Sequence, residues 1–213
     1  MATTVIFDLD GVLVDSRAAI AGCTNQALAA MGRPTRPEHE LHRFIGPPLA
    51  LSFGELLGLA PEAPEVAAMI AAYRERYATA SLTDTTVEPG IEEALDALAA
   101  GHRLAVATSK PHAFADPLLG AMGLREHFEV VVGPDLTART EDKTATIARA
   151  LEALGDTRAV MVGDRSFDVV GAHANGIPAI GVTWGIGDAA ELAGAERTID
   201  APSALPEAVL ELL

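Results

Sequence analysis

The chain opens on an apolar run, Val5, Ile6 and Phe7, whose length and residue types predict a buried strand. From residue 13 to residue 83 the apolar spacing is helical and no segment has a clear strand pattern. Two proline-rich stretches, "GRPTRPE" (32–38) and "FIGPPL" (44–49), should break that region into short helices. After "EPG" (88–90) the pattern changes. Ile91, Ala94, Leu95 and Leu98 fall at i, i+3, i+4 and i+7, and Gly101 follows as a helix stop. Four short apolar runs come next: "RLAVATS" (103–109), "EVVVG" (129–133), "AVMVGD" (159–164) and "PAIGVTW" (178–184). Helices separate the last three, one of them carrying Ile147, Leu151 and Leu154 on one face. Buried strands alternating with helices predict an α/β fold with a doubly wound parallel sheet. On this reading residues 1–13 and 84–213 form the core, and 14–83 form a helical insertion after the first strand.

Composition narrows the setting. The 213 residues are 49% hydrophobic, enough for a packed core. No apolar run approaches the ~18 residues of a membrane span, and the N-terminus lacks the pattern of a signal peptide. Cys23 is the single cysteine, so no disulfide forms within the chain and a cytoplasmic setting is expected. A net charge of −15 argues against nucleic acid or an anionic membrane as partner. An anionic substrate would therefore need a local cation, a lysine or a helix N-terminus.

The candidate chemistry sits at the strand ends, where open parallel sheets collect their sites. Asp8 and Asp10 follow the first strand two residues apart, on one face of an extended chain. Two like charges there raise the energy of the site unless a cation or a reaction requires them. Thr108 and Ser109 end the second strand. Asp164 ends the fourth, with Asp168 one helical turn later, and Lys143 stands where a helix begins. Taken singly, Asp164 could cap a helix, Thr108 is an ordinary strand residue and Lys143 an ordinary solvated one. "DLDG" is not an EF-hand loop, because Gly11 directly follows the second aspartate and a strand precedes the first. No Walker lysine, G-x-G-x-x-G or zinc-like spacing occurs; His39 and His42 lack further ligands.

"FDLDGVLVDS", "VATSK", Lys143 and "GDRSFD", in this order and spacing, resemble the four motifs of the haloacid dehalogenase-like superfamily. "GPDLTART", "GAHANGIPAIGVTWG" and "FIGPPL" are similar to its phosphoglycolate-phosphatase and nucleotidase-like branch. The resemblance implies a Rossmann-like core of strand order 5-4-1-2-3 with a helical cap inserted after the first strand. It implies Asp8 as nucleophile and Asp10 as general acid and base, with Thr108 and Lys143 holding the phosphoryl oxygens. Mg²⁺ would be held by the Asp8 carboxylate, the Asp10 carbonyl and Asp164, with Asp168 orienting its waters. Gly11, Ser109 and Lys110 from the core, and Arg43 and Gly46 from the insertion, are expected to add to phosphate or substrate binding. The chemistry is coherent with that assignment. A carboxylate can attack phosphorus, a dianion needs cations around it, and oxygen-only ligands suit Mg²⁺. Members that cleave carbon–halogen bonds lack the second aspartate, so Asp10 implies a phosphate ester. The expected function is a Mg²⁺-dependent phosphatase of a small phosphorylated metabolite, monomeric. A β-phosphoglucomutase-like transferase uses the same residues and is the alternative; a non-catalytic module of the same fold is the reading from a different class.

Overall fold

Val5, Ile6 and Phe7 have no solvent exposure because β1 (Thr3–Phe7) runs through the middle of a parallel sheet. The computed structural model describes residues 3–137, 142–155 and 158–213; the last three residues of "GPDLTART" lie outside that set. After β1 come β2 (Val14–Asp15), α1 (Arg17–Ala30), α2 (Glu38–Leu41), α3 (Leu49–Leu57), α4 (Pro64–Thr83) and β3 (Thr86–Val87). Then follow α5 (Ile91–Ala99), β4 (His102–Ala107), α6 (His112–Ala121), β5 (Val130–Val132), α7 (Lys143–Leu154) and β6 (Ala159–Gly163). The chain closes with α8 (Ser166–Ala174), β7 (Ala179–Val182), β8 (Arg197–Ile199) and α9 (Leu205–Leu212).

The main sheet has the order β5-β4-β1-β6-β7-β8, every neighbouring pair parallel. The five expected strands stand in the expected relative order, and β8 extends the edge beyond β7. That sixth strand corrects the expected five. Only three residues long, with Arg197 and Thr198 exposed, it carries no apolar run. Alternation along β1 sends Val5 and Phe7 to one face, against α5, α6 and α9, and Ile6 to the other, against α7 and α8. Both faces are covered, which is why the strands read as continuous apolar runs.

Between β2 and β3 the chain forms a helical layer. β2 and β3 pair antiparallel, Val14 with Val87 and Asp15 with Thr86, where the chain leaves and rejoins the sheet. Two-residue strands are too short to register as periodicity, so the sequence showed no strand there. Helix α2 begins directly after Pro37, α3 after Pro48, and α4 carries Pro64 in its first turn, where a missing N–H costs nothing. Helices α1, α3 and α4 share an apolar cluster around Cys23, Phe53, Met69 and Tyr73, with α1 lying along α4, while Leu41 of α2 packs in a smaller one with Ala21 and Phe44. No helix among the described residues is long and apolar enough to cross a membrane.

Candidate active site

The end of β1 turns sharply so that its two aspartates diverge. Asp8 still extends the sheet, donating its N–H to the Val162 carbonyl at 2.9 Å. Leu9 then accepts from the N–H groups of Leu13 and Val14, closing a tight loop. Gly11 sits in it at φ +83°, and a Cβ there would lie 2.4 Å from Asp164 Oδ2. Backbone conformation and close approach thus both require glycine.

Asp8 is buried, and its Oδ1 accepts the Leu9 N–H at 2.7 Å and lies 2.8 Å from Lys143 Nζ. Burial raises its pKa to about 6, opposed by Lys143 and reinforced by Asp168 and Asp10. Lys143, the first residue of α7, directs its ammonium group inward, donating to the Ala107 carbonyl at 3.1 Å. It forms ion pairs with Asp8 Oδ1 and, at 2.9 Å, with Asp168 Oδ1, which accepts no hydrogen bond. Burial pushes the Lys143 pKa down, but Asp168 and Asp8 more than reverse this and hold it above the ordinary lysine value.

Asp164 has no solvent exposure. Its Oδ2 accepts the Ile186 N–H at 2.6 Å, while its Oδ1 is buried and accepts no hydrogen bond. Burial, then Asp168 and Asp8, push its pKa up to about 8. Asp168, in the first turn of α8, accepts the Arg165 N–H at 3.1 Å through Oδ2. Oxygen atoms of Asp8, Asp164 and Asp168 all lie within 4.8 Å of one another. With these three ionised and Lys143 as their single ammonium partner, two negative charges are left uncompensated. An oxygen-only set, an orphaned buried acceptor and a charge deficit of two fit a hard divalent cation such as Mg²⁺.

Asp10 stands apart from that group. Its Oδ1 accepts from Ser16 Oγ at 2.6 Å and from Lys110 Nζ at 2.7 Å. Lys110, expected beside phosphate, thus directs its charge to Asp10, and it also donates to the Tyr77 hydroxyl of α4 at 2.5 Å. Thr108 is buried, its Oγ1 accepting the Lys110 N–H at 3.1 Å, and Ser109 follows it. Asp8, Asp10, Thr108, Ser109 and Lys110 line one cavity, closed on the opposite side by Phe44, Gly46, Tyr73 and Tyr77 of the helical layer.

Arg43 is not brought there. It is exposed, pairs with Glu55 at 3.2 Å and lies over the Phe44 ring at 4.6 Å. On the single turn His42–Phe44 the apolar residue turns inward and the charged one stays in solvent. Sequence reasoning also missed contributors. Tyr73 and Tyr77 lie one turn apart on α4, in line with buried Met69, a stripe that helical spacing could have exposed. Arg165 donates to the Ile45 carbonyl and pairs with Glu191 at 2.9 Å, tying the Asp164 loop to the helical layer. Ile186, which grips Asp164 through its backbone, offers no side-chain signal.

The model of the family described as haloacid dehalogenase-like hydrolase matches residues 5–182. The chain belongs to that family. This hydrolase is 36% identical over 197 residues to the 5'-nucleotidase of Pseudomonas aeruginosa, covering 91% of this chain and 88% of that one. It is 37% identical over 212 residues to the plasmid phosphoglycolate phosphatase of Cupriavidus necator, with 96% and 91% covered. A crystal structure described as a predicted phosphatase from Clostridium acetobutylicum superposes with a TM-score of 0.93 at 35% identity, covering 100% of both chains.

Proposed function

We propose that this hydrolase is a Mg²⁺-dependent phosphomonoesterase of a small phosphorylated metabolite, acting through a phosphoryl group carried on Asp8. The observation that carries the reading is the division of labour between the two aspartates. Asp8 lies in the carboxylate group whose charge deficit calls for a divalent cation, and its Oδ1 is already fixed by Lys143 and Leu9. Asp10 is held separately by Ser16 and Lys110 at the cavity wall.

Asp8, Asp164 and Asp168 would hold the cation, which supplies charge neutralisation at the phosphoryl oxygens. An Asp8 oxygen attacks phosphorus, and the ester bond to the leaving oxygen breaks. Asp10 gives that oxygen a proton, then takes one from the water that attacks the phosphoryl-Asp8. Lys143 and Thr108 bear on the phosphoryl oxygens, and Lys110 with Ser16 fixes the orientation of Asp10. The helical layer, residues 14–83, serves as the cap that excludes water and selects the leaving group. Phosphate release should vanish with EDTA and return with Mg²⁺. Rapid quench should find one phosphoryl group on the peptide that contains Asp8. Full turnover by demetallated protein, or a phosphoryl group elsewhere, would overturn the reading.

A further inference from the structure

The cleft does not end at the aspartates. A larger cavity of about 380 Å³ shares the walls Leu49, Ser109 and Pro111 with the inner one and continues outward between α4 and the segment after β5. Its lining is mostly apolar, with Ala67, Ile70 and Ala71 from α4 and Pro134 and Leu136 opposite. The single charged side chain among its described lining residues is Arg74. Nη1 of Arg74 donates to the Leu136 carbonyl at 2.8 Å, while its Nε is buried and has no hydrogen-bond partner.

That arrangement differs from that of six other arginines of the chain. Arg17, Arg43, Arg103, Arg125, Arg165 and Arg197 each meet a carboxylate. In a protein with 30 acidic residues and a net charge of −15, Arg74 has no carboxylate partner among the described residues. A buried, charged donor left unsatisfied is costly unless a ligand completes it. The edge of a guanidinium formed by Nε and Nη2 is the side-on fork that takes a carboxylate or phosphate in bidentate fashion. Nη1, bonded to Leu136, lies outside that edge.

We propose that Arg74 is a specificity-determining residue that binds a second anionic group, carboxylate or phosphate, at the far end of the leaving group. The inference rests on the phosphomonoesterase reading and narrows its substrate class to esters whose alcohol carries its own anion. The apolar walls receive the carbon body between the two charges. A cation here also offsets the repulsion that so acidic a protein exerts on a doubly anionic ligand. Esters with an uncharged leaving group, nucleoside monophosphates among them, leave Arg74 unsatisfied.

The test compares matched pairs with the Mg²⁺-loaded enzyme. One arm uses the O-phosphates of glycolate and of the next two straight-chain ω-hydroxy acids, each beside its neutral carboxamide. The other uses propanediol bisphosphate beside the monophosphate, which separates carboxylate from phosphate as the preferred terminus. In at least one pair kcat/KM should favour the anionic member. Arg74→Gln should erase that preference, lowering the anion-to-neutral ratio by about 30-fold or more, and Arg74→Lys should retain part of it. Arg76→Ala, exposed on the same helix, should leave the ratio as it is. Hydrolysis of p-nitrophenyl phosphate without any preference within the pairs, or equal loss for both members in Arg74→Gln, would overturn the role of Arg74 and leave the phosphatase reading standing. Failure to hydrolyse any ester, p-nitrophenyl phosphate included, would overturn that reading and this inference with it.

Discussion

The two sides of the cleft are built on different physics. On the sheet side, Asp8, Asp164, Asp168 and Lys143 are each 5% exposed or less, and each stands at a strand end or in the first turn of a helix. Their charges answer one another over distances near 3 Å, as between Lys143 and Asp8 at 2.8 Å. On the helical side the wall is aromatic and apolar: Tyr73 and Tyr77 stack at 5.0 Å, and Phe114 of α6, from the sheet side, meets Tyr77 edge-on at 5.6 Å. Both tyrosines of the chain are in that wall. Among the described residues the two sides communicate through few polar contacts, chiefly Tyr77 with Lys110, Arg165 with Ile45 and Arg74 with Leu136. Substitutions on the sheet side should therefore change the chemical step, and substitutions on the helical side the choice of ester.

The largest effects belong to the two aspartates of the first strand end. Asp8→Asn removes the proposed nucleophile and should lower turnover by ~10⁴-fold or more, with no burst of product. Asp10→Asn should separate the two half-reactions. An alkoxide leaving group needs a proton and a nitrophenolate hardly does, so phosphorylation of Asp8 should slow far more with an alkyl phosphate than with p-nitrophenyl phosphate. With the aryl ester a burst near one per site should precede a slow steady state, since attack by water still needs a base. Rapid-quench kinetics with bound phosphate measured decides the matter. Equal slowing for both esters with no trapped phosphoryl group would remove Asp10 from acid–base chemistry.

Lys143→Ala comes next, with an expected loss of about 10²-fold in kcat/KM, because a buried cation beside Asp8 acts where charge concentrates. Arg149 lies on the same helix, its Nη1 3.5 Å from the Gly133 carbonyl, and Arg149→Ala should cost little. Equal small losses would mean that the charged side of the cleft does not govern the reaction.

What could be read in advance follows the same division. Asp8 and Asp10 were visible because burying a charge is expensive, so paired aspartates at the end of an apolar run demand a reason. Asp164 and Lys143, ordinary when taken singly, were legible only through the order and spacing of the motifs. β1, β4, β6 and β7 were visible because burial on both faces writes long apolar runs. The short strands β2, β3 and β8 bury too little to leave a pattern. Arg43 was expected in the cleft because its loop is distinctive, yet exposure on a single turn cannot be read from the residue itself. Arg74 raised no expectation at all: a helical arginine is ordinary until its neighbours are known. The contact of Lys110 with Asp10 spans 100 positions and exists only in the fold.

On the helical side, effects should be smaller and selective. Tyr77→Phe deletes the hydroxyl that accepts from Lys110 and should lower kcat/KM by about 3- to 10-fold. Phe44→Ala should reorder efficiencies among phosphorylated metabolites more than it changes turnover of p-nitrophenyl phosphate. A uniform loss across substrates in Phe44→Ala would break the distinction between the two sides.

The smallest effect is on stability, and it tests the charged side without any turnover. Unfolded, Asp164 ionises near 3.8; folded and metal-free, it keeps its proton up to about 8, mainly through burial. Asp8 is displaced in the same direction, to about 6. Between the unfolded and folded values the native state binds more protons than the unfolded one, so stability falls as pH rises through this window. Asp15, Glu191 and Glu196 are shifted the opposite way, and their contributions are lost only in more acidic solution. The Tm of the demetallated protein should accordingly drop between about pH 5 and pH 8. Mg²⁺ should raise Tm most at the upper end, where protons no longer compete for the carboxylates. Asp164→Asn keeps the shape and removes the charge. It should flatten the decline with pH and abolish most of the gain from Mg²⁺. It should also raise the metal-free Tm near the upper end by several degrees, since ~1 kcal/mol moves the midpoint of a chain this size by ~2–4 °C. Calorimetry of both proteins with and without Mg²⁺ reads all three quantities. A wild-type Tm that is flat in pH and indifferent to Mg²⁺ would mean that the buried carboxylates are not a cation site, and the contrast between the two sides of the cleft would lose its chemical basis.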